Sequence, residues 1–70
     1  MLEIRADLMA ALRDRIEENG WTQNETAKKL GIAQSRISAL MKGAWRDFSV
    51  GMLLLLAARL GLRPTLKLAA

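Results

Sequence analysis

The sequence predicts an all-α fold: one compact four-helix domain over residues 1–70, with a short C-terminal β-strand. Three observations predict it. Apolar residues recur at helical spacing through most of the chain. Glycines at positions 20, 31, 43 and 61 punctuate that pattern as helix stops. The stretch 62–68 then changes to strict alternation. A chain of 70 residues has room for one core only. Its hydrophobic fraction of 51% is too high for a disordered chain.

Residues 3–19 form the first predicted helix. Ile4, Leu8, Leu12 and Ile16 recur every fourth residue with Ala11 beside them, and charges fill the other face. Arg13 and Glu17 stand at the spacing of a favourable ion pair. Asn19-Gly20 supplies the stop. Thr22 opens the second helix, because Thr22-Gln23-Asn24-Glu25 fits a capping box and Trp21 precedes it as a staple. That helix runs to Leu30 and ends at Gly31. A third helix covers Ala33 to Met41, with Gly43 closing it. So short a link between the second and third helices forces a sharp turn.

Residues 44–48 read as a loop in which Trp45 and Phe48 turn inward. Ser49 caps a fourth helix over 50–60, which Gly61 closes. In the strand 62–68, Leu62, Pro64, Leu66 and Leu68 share one face, and Arg63, Thr65 and Lys67 the other. A single strand has no partner for its amides within this chain, so it pairs with a second copy or frays. The fourth helix is apolar so far round its surface that it needs cover on more than one side. Both features predict a homodimer, with Leu56, Leu60, Leu62, Leu66 and Leu68 as its contacts.

Charge divides along the chain. Residues 1–22 hold three basic and five acidic groups, whereas residues 23–70 hold eight basic and two acidic. A basic region on a small domain points to a polyanion. There is no cysteine and no histidine, which excludes disulfides, thiolate chemistry and the usual zinc ligands. No cofactor or metal is expected. Without His, Cys or Tyr, acid–base or nucleophilic work would fall to Asp, Glu, Ser or Lys, and the carboxylates concentrate at salt-bridge spacing on the first helix. The chain is therefore expected not to be an enzyme. The apolar run Met52–Ala58 is too short to span a bilayer, and no secretory signal is visible, so the expected location is the cytoplasm without a membrane partner.

The informative stretch is 22–43. Ala27 is small where two helices cross, Gly31 makes the turn, and Ile32, Ile37 and Leu40 fill the space between the helices. At 100° per residue, Gln34, Ser35, Ser38, Ala39 and Lys42 share the outward side of the third helix. That face is short, polar and mostly uncharged. Side chains of this kind suit base edges in a major groove, whereas an idle solvated face is more often rich in Glu and Lys.

The same stretch resembles the helix-turn-helix of the lambda repressor and Cro superfamily, the XRE-type domains. The turn-and-core pattern Ala27, Gly31, Ile32, Ile37, Leu40 carries the likeness, with Gln23, Gln34-Ser35 and the closing Leu40-Met41-Lys42-Gly43. The resemblance implies a lambda-repressor-like domain binding double-stranded DNA. In that reading Gln34 hydrogen-bonds a base edge and Gln23 braces it while touching a phosphate. Ser35 and Ser38 meet bases or backbone, Ala39 a thymine methyl, and Arg36 a guanine or phosphate. Lys28, Lys42 and Arg46 contact phosphates, and the helix start at Thr22 offers free amides to another. Ala33 departs from the family pattern, which has a Thr or Ser cap there.

The rest of the chain is similar to a narrower group. The loop from Gly43 to Phe48, the Leu-rich fourth helix ending Leu60-Gly61-Leu62 and the last strand look like HigA-type antitoxins of toxin–antitoxin pairs. That resemblance implies a dimeric repressor of its own operator, with a toxin protein as a further partner. The competing reading is a toxin-gripping interaction module with DNA binding secondary or lost.

Overall fold

A computed structural model of the chain describes residues 3–62. The elements run α1 (Ile4–Asn19), α2 (Gln23–Leu30), α3 (Gln34–Met41), a single 3₁₀ turn (Trp45–Asp47) and α4 (Val50–Arg59). The strand expected over 62–68, with Leu66 and Leu68, lies beyond Leu62 outside the described residues. Among the described residues there is no strand.

Helix α1 buries Leu8, Met9, Leu12 and Ile16. Ile4, expected in that stripe, is 48% exposed, and Ala11 is exposed as well. The cause is angular drift. Each four-residue step turns the side chain on by about 40°, so by Ile4 the row has left the buried arc, and Met9 falls inside it. Arg13 does not pair with Glu17; the one ion pair among the described residues is Arg5–Glu3, at 3.1 Å. Arg13 turns instead toward the end of α3, where its Nη1 lies 3.5 Å from the position a Cβ on Gly43 would take.

The starts of the helices follow local chemistry. The Thr22 hydroxyl accepts from the Glu25 amide at 3.1 Å, and the Glu25 carboxylate accepts from the Thr22 amide at 3.0 Å, so both halves of the capping box are made. Ser49 accepts from the Met52 amide at 3.0 Å and opens α4. Helix α3 begins one residue later than expected. Ala33 is its cap, in extended conformation, with no side-chain hydrogen bond to offer. At the turn from α2 to α3, Gly31 takes φ 69, a left-handed conformation that is costly for a residue with a Cβ. The amides of Gly31 and Ile32 both donate to the Ala27 carbonyl, at 2.9 and 3.2 Å.

Helix α1 packs chiefly on α4, and α2 chiefly on α3. The two pairs share one core. Leu12, Ile37, Leu40, Leu53 and Leu56 are completely buried at its centre, with Leu30 and Phe48 beside them. Full burial of such a side chain contributes about 1.5–3 kcal/mol, so this handful of residues carries much of the stability. Trp45 is half-buried and lies against the core rather than inside it.

Leu56 and Leu60, expected at a dimer contact, are 0% and 9% exposed within the chain's own core. They have almost no surface left for a partner. The exposed positions of α4 are Val50, Gly51, Leu55, Ala58 and Arg59, with Leu55 46% exposed and Leu54 and Leu62 half-buried.

The bare start of α3 yields a test. Ala33→Ser supplies the missing acceptor and is expected to raise unfolding free energy by about 1 kcal/mol, whereas Thr22→Ala lowers it by a similar amount. Urea titrations followed by circular dichroism check both; the cap account fails if Ala33→Ser has no effect.

Candidate nucleic-acid interface

The turn at Gly31 swings α3 across α2 and buries Ile37 and Leu40 against Leu30 and the rest of the core. The other side of α3 faces outward. Gln34, Ser35 and Arg36 are exposed in its first turn, Ser38 and Ala39 are half-buried, and Lys42 is exposed at its end. Helix α3 contains no acidic residue. Ala39 also rests against the core, so only part of its methyl group is open to a ligand.

The start of α2 adds to this surface. Thr22 and Gln23 are exposed, and the capping box engages the Thr22 and Glu25 amides. The amides of Gln23 and Asn24 have no acceptor among the described residues. They point out of the positive end of the helix, where an anion is favoured. Gln23 and Gln34 are both exposed, but no hydrogen bond joins them, so the expected bracing is absent from the protein by itself.

The cations divide into tied and free groups. Arg36 Nη1 donates to the Asp47 carbonyl at 3.0 Å, and its guanidinium lies 5.5 Å from the centre of the Phe48 ring. It therefore fastens α3 to the loop that follows. Lys28 and Lys42 are exposed and make no ion pair among the described residues. Arg46 is exposed and lies 4.9 Å from the centre of the Trp45 ring. Arg5, which no motif in the sequence singles out, lies 4.8 Å from the same ring and donates to the Phe48 carbonyl at 3.4 Å. Two guanidiniums from distant parts of the chain thus meet on one tryptophan beside α3. Each such contact is worth about 0.5–1 kcal/mol at an exposed site, enough to order the loop but not to hold the fold.

Two carboxylates have their acidity altered. Hydrogen bonds from the Arg5 side chain and amide hold Glu3 below the ordinary glutamate range. For Glu25 the leading cause is the hydrogen bond from the Thr22 amide. Among the described residues no group of His, Cys, Asp or Glu could hold a metal ion. No helix there is long and apolar enough to cross a membrane.

A turn-linked helix pair carrying an exposed polar face, with free amides and cations around it, is the arrangement of a helix-turn-helix. The chain belongs to the helix-turn-helix domain family, a DNA-binding family whose model matches residues 1–68. No curated protein and no solved structure matches it significantly.

The capping box makes a pH prediction. Because the folded pKa of Glu25 is depressed, the stability it adds is present above its unfolded pKa and is lost as pH falls through the folded one. Glu25→Gln keeps an acceptor and removes the charge. The variant is expected to be less stable than the parent at neutral pH and to converge on it under acid. Urea midpoints from pH 7 to pH 2 would expose a constant gap, which contradicts this assignment.

Proposed function

We propose that this protein is a sequence-specific transcriptional repressor that reads a palindromic operator through α3 as a homodimer. One observation carries the reading: the exposed first turn of α3, where the uncharged Gln34 and Ser35 stand beside an Arg36 tied to the following loop, flanked by Gln23 and exposed cations, on a helix with no carboxylate. Gln34 reads a base edge in the major groove, and Ser35 and Ser38 approach the adjoining bases or backbone. Lys28, Lys42, Arg46 and the amides opening α2 hold phosphates and set the register. Arg36, tied to Asp47 and Phe48, positions the helix and leaves the reading to its neighbours.

The surface of α4 supports pairing of two copies. Gly51, Leu55 and Ala58 form an exposed apolar strip bordered by Arg59, and the neighbouring Leu54 and Leu62 are only half-covered. A second copy laid on this face covers it, and two α3 helices about 34 Å apart meet successive major grooves. The HigA-like pattern of the loop and of α4 favours an antitoxin-type autoregulator of the XRE type, with a toxin protein as its further partner.

The test is selection of binding sites from random DNA, followed by salt titrations. A palindrome is expected to emerge. Gln34→Ala costs about 1–3 kcal/mol of discrimination at one position in each half-site, with the salt slope unchanged. Enrichment of no sequence, with binding lost by physiological salt, leaves only a charged surface and defeats the reading.

A separate expectation concerns assembly. Sedimentation at micromolar concentration gives a dimer, and Leu55→Glu gives a helical monomer with weakened operator binding. A parent protein that sediments as a monomer rules out the pairing.

A further inference from the structure

We propose that Arg59 is a positioning residue for recognition: through the Leu30 carbonyl it holds the α2–α3 turn and so sets how α3 is presented. This rests on α3 being the DNA reader. The α1–α4 pair and the α2–α3 pair are joined mainly through the shared apolar core. Among the described residues a single side-chain hydrogen bond crosses from one pair to the other, from Arg59 Nη1 on α4 to the carbonyl of Leu30 on α2.

Its place is informative. Leu30 is the last residue of α2, and Gly31 after it makes the turn. A Cβ at Gly31 would lie 3.6 Å from Arg59 Nη1, so the guanidinium lies across the turn itself. The Ala27 carbonyl is already occupied by two amides from the turn. The Leu30 carbonyl comes after it, at the negative end of the helix, where a cationic donor is favoured. Arg59 is exposed, so it is not there to fill the core. A base contact from Gln34 depends steeply on distance and angle. Fixing the turn therefore affects discrimination between sequences more than attraction to phosphates.

The experiment uses the full chain. Arg59→Met keeps the stem and removes the donor. The expected result is unchanged helix content, with the Gly31 and Ile32 amides exchanging about tenfold faster while amides of the α1 core hold steady. Affinity for the selected operator falls about tenfold, and affinity for random DNA and the salt slope stay put. Arg59→Lys restores protection and selectivity, since it keeps a cationic donor. Unchanged exchange at Gly31 and Ile32 in Arg59→Met overturns the proposal. So does an equal loss on operator and random DNA with a salt slope reduced by about one, because that marks a phosphate contact. If the parent shows no preference for any sequence, the reader assignment fails by itself, and the exchange measurement still decides whether Arg59 holds the turn.

Discussion

The structure depends on the left-handed turn at Gly31. With φ 69 there, two successive amides close on the Ala27 carbonyl, and the chain leaves α2 at a sharp angle. That angle lets Ile37 and Leu40 reach the core shared by α1 and α4. The opposite face of α3 is exposed for the same reason. Burial of one side and presentation of the other follow from a single backbone conformation, which a β-carbon would strain. Ala27, buried just before the turn, allows α3 to approach closely.

Around this turn the basic residues divide between two purposes. Arg5 and Arg36 tie α1 and α3 to the loop through Phe48 and Asp47. Arg59 ties α4 to α2. Lys28, Lys42 and Arg46 remain open to solvent. A guanidinium offers several donors in a fixed plane and stacks on aromatic rings, which suits it to joining elements. Lysine is a flexible point charge and suits contact with phosphates. The basic excess that marks the sequence as a polyanion binder is therefore larger than the charge free to meet one.

The sequence is most legible where the chemistry is local. The caps at Thr22 and Ser49 and the stops at Gly20, Gly31, Gly43 and Gly61 involve residues within a turn of one another, and each falls where the pattern places it. The outward turn of α3 is legible too, because Ile37 and Leu40 fix its phase. Partners distant in sequence are not legible. The meeting of Arg5 and Arg46 on Trp45, the turning of Arg13 toward Gly43, and the reach of Arg59 to Leu30 depend on how the helices dock. A long side chain has too many rotamers for spacing to choose among them.

Helix α4 shows a different limit. Along Met52–Ala58 every residue is apolar, so hydropathy carries no phase and cannot say which residues turn inward. The packing against α1 decides it, sending Leu53, Leu56 and Ala57 inside and leaving Leu55 and Ala58 outside. A helix that needed only one buried side could have carried charges at positions 55 and 58 without loss to the core. Leucine and alanine there leave apolar area on the surface of a 70-residue domain with little core to spare. In the proposed dimer, covering that area with a second copy stabilises the fold and sets the spacing of the two α3 helices at once, so that stability and the proposed recognition draw on the same face.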